Sequence, residues 1–261
     1  MKTILCIPDG QNAPDRPIKH WAWVSTFIAD QEPDIIVQMG DWDDCDHLSR
    51  WDEGTRRSWG REHAKSIEHS KKAQELLLKA WWDNSPQPEL HALGGNHDGT
   101  EIDRGTRMYR TVQQYPQFAD SLECPMKLWS EAGWKVHPYK KIVKIEGIAF
   151  SHLFNVTSTG KKERSDGSGA RGPIAQISAA GCSAVAGHTQ GFQYGERTFA
   201  ADPGRVHQGL MAGSCYLHNE GYLGNQGGNN HFRGIVLLHV YKRGSFDIEQ
   251  WSLERLRKVY G

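Results

Sequence analysis

The chain has no charge excess: 31 basic residues balance 31 acidic ones over 261 positions. Global charge therefore demands neither a nucleic acid nor a membrane as partner, although a local basic loop remains able to serve a polyanion. Cysteine is scarce and unpatterned. Cys6, Cys45, Cys124, Cys182 and Cys215 are odd in number and form no Cys-x-x-Cys pair, which excludes a disulfide framework and a thiolate zinc knuckle. We expect a reducing, cytoplasmic setting and buried structural thiols. Long apolar runs are also missing. The opening Thr3–Ile7 run is cut by Pro8-Asp9 far below signal length, and no run is long enough to span a bilayer. No period of 20 to 50 residues repeats, so solenoids and propellers are excluded. At 38% hydrophobic and 24% charged, the composition is that of an ordinary globular protein, and its length suits one domain over residues 1–261.

Against that plain background three acid-bearing loops stand out: Pro8-Asp9-Gly10-Gln11, Gly40-Asp41-Trp42-Asp43-Asp44 and Gly94-Gly95-Asn96-His97-Asp98. Each follows a short apolar run that reads as a buried parallel strand, at 3–7, 35–39 and 90–93. Helical spacing of Trp21, Val24, Phe27 and Ile28 predicts a helix over 18–29. A longer amphipathic stretch over about 60–82 puts Ala64, Ile67, Ala73, Leu76, Leu77 and Ala80 on one side. Alternating strands and helices of this kind place loop ligands together at the carboxyl edge of one sheet.

The later half changes character. Glu146-Gly147 reads as a hairpin turn between strands at 141–145 and 148–151, the second delivering His152 at its end. Residues 157–172 are rich in Ser, Gly, Lys and Arg and read as a surface loop whose Lys161, Lys162, Arg164 and Arg171 suit an anionic substrate. A short helix over 173–180 and a strand over 183–186 lead to Gly187-His188-Thr189-Gln190. Strands at 205–211, 234–241 and 245–253 close the chain.

This ordered set of loops resembles the calcineurin-like metallophosphoesterases. That family's pattern is Asp-x-His, Gly-Asp-x-x-Asp, Gly-Asn-His-Asp/Glu, a lone His, then Gly-His-x-His. Here it is matched by Asp9-Gly10-Gln11, Gly40–Asp44, Gly95–Asp98, His152 and Gly187–Gln190, over about residues 2 to 253. Ala212-Gly213-Ser214 sits where the family often has Asn-Pro-Gly-Ser. The resemblance implies an α/β fold of four layers, α/β/β/α, a metallophosphoesterase double β-sandwich with flanking helices. It also implies two divalent metal ions, with Asp41 bridging them, because a carboxylate offers two charged oxygens to cations about 3.5 Å apart. Asn96, His152 and His188 would complete one site, whose mixed oxygen and imidazole set suits manganese, iron, zinc or nickel.

At the other site both family histidines are glutamine. If Gln11 and Gln190 ligate through oxygen, Asp9, Gln11, Asp41 and Gln190 form an all-oxygen set favouring magnesium, manganese or calcium. Asp44 is an alternative ligand or a hydrogen-bond acceptor, and a weak or empty first site is the third reading. The resemblance gives His97 the role of acid towards the leaving group, with Asp98 orienting it and Asn96 and His97 facing the substrate. Trp42 is expected to border the pocket and stack on substrate, whereas Arg104 and Arg107 read first as solvated helix charge and second as phosphate contacts. The implied activity is hydrolysis of a phosphoester by direct attack of metal-activated water, and the softened first site, the basic loop and Trp42 favour a larger anion, a phosphodiester of a nucleotide or nucleic acid first. The alternatives are a phosphomonoesterase acting on protein or a small molecule, and a catalytically silent binding module.

Overall fold

A computed structural model describes residues 1–49, 62–84, 86–118, 122–154, 172–221 and 228–261. The first sheet is built from β1 (Lys2–Ile7), β2 (Ile35–Gln38), β3 (Glu89–Leu93), β4 (Lys135–His137), β10 (Gly234–Val240) and β11 (Phe246–Ser252), in the order β11-β10-β1-β2-β3-β4. β1 to β4 run parallel, and the β10–β11 hairpin joins β1 antiparallel. The second sheet contains β5 (Val143–Ile145), β6 (Ile148–Ser151), β7 (Ala184–Ala186), β8 (Phe192–Thr198) and β9 (Val206–Ala212), in the order β5-β6-β7-β9-β8. Six α-helices accompany the sheets among the described residues: α1 (His20–Gln31), α2 (His63–Leu78), α3 (Arg107–Gln114), α4 (Met126–Glu131), α5 (Pro173–Ala180) and α6 (Leu253–Tyr260). The protein is thus a mixed α/β structure.

Side-chain alternation explains how the layers bind. On β1, Ile4 and Cys6 join an apolar cluster with Phe150, Val185 and Leu210 of the second sheet, while Leu5 and Ile7 turn to the opposite cluster with Trp21 and Phe27 of α1 and Leu77 of α2. β2 repeats the division, with Ile35 and Val37 on one side and Ile36 on the other. Strands buried on both faces have continuous apolar sequence, which is why β1 and β2 are legible as runs. A small cluster of Ala149, Ala184 and Ala186 with Ala179 and Ala180 packs α5 on the far side of the second sheet.

Several sequence expectations shift. The apolar stripe drawn on the second helix is rotated: Ala64 and Ala80 are exposed, and Ser66 and Ser70 are buried instead. Their hydroxyls donate to the enclosed Asp43 carboxylate at 3.0 and 2.6 Å, so the helix is oriented partly by the need of the second loop for donors. Glu146 and Gly147 both have positive φ, 50° and 82°, as a two-residue I′ hairpin turn requires. β8 is absent from the sequence expectations. It is an edge strand with mostly exposed side chains, held by backbone pairing to β9 and not by an apolar pattern. Leu253, expected to end the last strand, instead opens α6, whose N-cap Ser252 accepts from Arg255 N–H at 3.1 Å. Of the basic loop expected at 157–172, residues 157–171 lie outside the described residues, as do Trp51 and Trp59, which stand just beyond the second loop and invite a base-stacking role from sequence alone.

Candidate metal centre

The loops after β1, β2, β3, β6 and β7 meet at one edge of the two sheets. Beyond the strands the chain keeps pairing: Gly10 and Gln11 N–H donate to Asp41 O at 3.0 and 2.9 Å, Asn12 N–H to Trp42 O at 2.8 Å, and Cys215 N–H to Asp9 O at 2.8 Å. Gln11, Asp41, His188 and Gln190 all adopt left-handed φ, between 46° and 68°. That conformation is costly for side-chain-bearing residues, and here it gathers on residues expected to ligate. Glycine makes the convergence possible. A Cβ on Gly95 would lie 2.0 Å from Asp41 Oδ1, one on Gly40 2.5 Å from His152 Nδ1, and one on Gly187 2.6 Å from Asp9 Oδ1. Gly95→Ala should therefore push the second and third loops apart and lower manganese affinity at least tenfold, measured by calorimetry. Unchanged affinity would mean that the contact of these loops does not set the site.

Asp41, His152 and His188 bring one ligand atom each to within 4.8 Å of the others. His152 Nε2 and His188 Nδ1 lie 3.1 and 2.8 Å from Asn96 Oδ1, and His152 Nε2 lies 3.4 Å from Asp41 Oδ2. His152 Nδ1 donates to Met39 O at 2.8 Å, which fixes the tautomer and leaves Nε2 facing the cluster. All four residues assigned to this half are thus together, and they fit a divalent cation of borderline hardness.

The other half fits in part. Asp9 is buried; Oδ1 accepts from His188 N–H at 3.1 Å, while Oδ2 has no hydrogen-bond partner among the described residues. Burial pushes the Asp9 carboxyl well above its ordinary range. An orphaned oxygen of this kind suits a cation. Gln11 directs its amide nitrogen, not its oxygen, to Asp41 Oδ2 at 3.3 Å, since a carboxylate only accepts. Ligation through Gln11 requires the amide to turn over. Gln190 Oε1 accepts from the Tyr216 hydroxyl at 2.9 Å, and a carbonyl oxygen retains a second lone pair for a metal. Tyr216, with Ser214 and His231 around its hydroxyl, is a component that sequence reasoning misses; its signal is its place just after Gly213-Ser214.

The acid–base assignments change. Asp98 does not touch the His97 ring. Its carboxylate accepts from the N–H groups of Gly95, Asp41, Trp42 and Asp43 at 2.9, 3.2, 2.6 and 3.3 Å, clamping the second loop to the third. Burial and then Asp41 push the Asp98 carboxyl up. The partner of His97 is Asp44, whose Oδ1 lies 2.8 Å from Nδ1. Asp44 also meets Arg16 Nη2 at 2.7 Å and Arg107 Nη1 at 3.4 Å. Burial opposes ionisation of Asp44, and Arg107, His97 and Arg16 overcome it and hold the carboxyl well below the usual range. Asp44 is therefore engaged by the imidazole and two guanidinium groups. Burial likewise opposes Asp41, and the imidazoles of His152 and His97 keep it ionised.

Trp42 is enclosed, with 0% exposure. Its indole donates to Ser70 O at 3.3 Å and packs against Trp21 and Trp129 at 4.2 and 5.0 Å between centroids. It lies in the core and is not available to stack on a substrate. Arg107, which sequence alone reads first as a solvated helix charge and second as a phosphate contact, has a side chain only 11% exposed, against the first reading.

No family model matches this chain, and no curated protein matches it. Among solved structures that match, one aligns over 96% of this chain and 99% of its own, at 10% identity and a TM-score of 0.44. Likeness at that level carries no argument about fold family or activity. The site's chemistry has to speak for the chain. No described helix is long and apolar enough to cross a membrane.

Proposed function

We propose that the chain is a divalent-metal-dependent phosphoesterase, a four-layer α/β/β/α sandwich of the calcineurin-like kind. The observation carrying this reading is the convergence of Asp41, Asn96, His152 and His188 on one point, with Asp9 Oδ2 beside it left without a hydrogen-bond partner among the described residues. When bound, divalent cations supply positive charge for phosphoryl oxygens and acidify water at neutral pH. The chain's own groups supply the rest. Asp41 accepts from His97 N–H at 2.9 Å, which sets the third loop against the ligands. Asp44 fixes the His97 ring, and Nε2 of that ring, 3.9 Å from Asp41 Oδ2, faces the reacting centre. From there it can hold a proton for the leaving alkoxide or bind a phosphoryl oxygen.

The sequence favours a phosphodiester on the strength of a softened first site, the basic loop and Trp42. With Trp42 in the core, that preference stands on the glutamine-bearing first site and on a loop outside the described residues. Turnover of an aryl phosphate against a bis-aryl phosphodiester, with manganese and then with chelator, tests the reading. Metal-dependent hydrolysis of either ester supports it, and the ratio of the two rates assigns the substrate class. No hydrolysis of either by manganese-loaded protein would leave the silent binding module.

The glutamines give a second test. Gln11→His with Gln190→His replaces two amides by imidazoles beside Asp9, and should shift metal preference towards zinc, cobalt or nickel by tenfold or more. An unchanged metal profile, measured by competition binding, would show that neither glutamine reaches a metal.

A further inference from the structure

Arg107 opens α3 directly after the N-cap Thr106, whose hydroxyl accepts from Tyr109 N–H at 3.0 Å. Its own backbone N–H donates to Asn96 O at 2.9 Å. The helix start is thereby fastened to the loop that carries Asn96 and His97. The guanidinium turns inward from this anchor. Nη1 donates to Asp44 O at 2.7 Å, and Nη2 lies 3.2 Å from His97 Nε2.

The partners dictate where the hydrogens sit. A carboxylate can only accept, so His97 Nδ1, 2.8 Å from Asp44 Oδ1, bears hydrogen. A guanidinium can only donate, so His97 Nε2 presents a lone pair to Arg107. That nitrogen is also the one turned towards Asp41, at 3.9 Å from Oδ2. Arg107 thus keeps one arm on Asp44 and lends the other to the reactive edge of His97. A neutral imidazole nitrogen is a poorer acceptor for a guanidinium than an anionic phosphoryl oxygen, whose hydrogen bond is charge-assisted on both sides.

We propose that Arg107 grips the substrate's phosphoryl group, moving its Nη2 hydrogen bond from His97 Nε2 to an anionic phosphoryl oxygen while Nη1 stays on Asp44. The assignment rests on the phosphoesterase reading and extends it to the ligand class: any phosphoester, or orthophosphate itself, with a charged non-bridging oxygen. One exchange does two things. It charges the grip on substrate, and it frees His97 Nε2 only when substrate is present. Arg16, the other guanidinium on Asp44, has its Nη1 on Glu220 at 3.1 Å and on Gln11 O at 2.8 Å, and so acts as a brace.

Orthophosphate binding to manganese-loaded full-length protein, followed by calorimetry, reads the proposal without requiring turnover. Arg107→Ala should weaken orthophosphate binding at least tenfold and raise KM for the preferred aryl ester by a similar factor, with manganese stoichiometry unchanged. Arg107→Gln, which keeps a donor for Asp44 O but not the second arm, should lose as much; it carries the test if the alanine variant fails to fold. Millimolar guanidinium should restore part of the alanine variant's phosphate affinity, which a purely structural arginine would not show. Metal-loaded variants that bind orthophosphate within twofold of a wild type that binds and hydrolyses would overturn this assignment alone. A wild type that neither binds orthophosphate nor hydrolyses either ester would overturn it together with the phosphoesterase reading.

Discussion

Asp41→Asn should reduce metal-dependent hydrolysis by about a thousandfold or more, equivalent to roughly 4 kcal/mol of transition-state stabilisation. The substitution is nearly isosteric and keeps an oxygen for the His97 N–H at 2.9 Å, so the loop geometry is retained. What disappears is the negative charge at the point where His152 and His188 converge. A neutral amide oxygen in place of a carboxylate is a weak ligand and cannot hold two cations. Metal affinity should fall along with rate, and chelator on the wild type should produce the same loss. A thermal readout separates this from misfolding. Ligand binding at one hundred times its dissociation constant adds about 2.7 kcal/mol of stability, so manganese should raise the wild-type melting temperature and leave the variant's unmoved. An Asp41→Asn variant that keeps its metal response and its activity would sink the assignment of Asp41.

The sequence makes the strands that carry the site legible for a physical reason. β1, β2 and β3 are buried on both faces at their carboxyl ends, so their apolar runs stand out and the polar loop after each is unmistakable. His152 and His188 are legible for the same reason, as polar residues ending short buried strands. Less legible is which polar residue serves which. Asp44 and Asp98 are both acids close in sequence to a motif, and only the fold decides that Asp98 takes four backbone N–H groups while Asp44 takes the imidazole. Arg16 escapes sequence reading altogether, and Arg107 is legible only as a secondary phosphate-contact candidate, because the two reach Asp44 from different elements and no local spacing encodes that meeting. Ser66 and Ser70 are passed over on an apolar stripe because periodicity counts only apolar residues, whereas a buried Asp43 demands donors. The long insert at 155–171 lies outside the described residues, so its basic character stays a sequence observation.

Trp42→Ala should unfold the protein far more readily while leaving substrate affinity in the surviving folded fraction almost unchanged. Trp42 stands inside the second metal-loop motif, which invites a role in stacking on a base. Its surroundings argue otherwise. Gly10, Trp21 and Trp129 enclose it, and a Cβ on Gly10 would lie only 3.3 Å from its ring, so no space remains on that side for a ligand. Removing a fully buried indole leaves a large cavity and deprives Ser70 O of its donor at 3.3 Å. The expected cost is about 3–5 kcal/mol, a large share of the stability of an ordinary domain. Because Trp42 N–H also donates to Asp98 at 2.6 Å, the backbone of the metal loop keeps its clamp even when the side chain is gone. The variant should therefore show a lower denaturant midpoint and a KM within about twofold of wild type, since that backbone clamp is independent of the side chain. A stable variant with a KM raised tenfold would instead restore the stacking role and place the indole at the substrate. Trp42→Phe divides the contributions: it keeps most of the apolar volume against Trp21 and Trp129 but not the N–H, so its deficit should be the smaller one, about 1–2 kcal/mol.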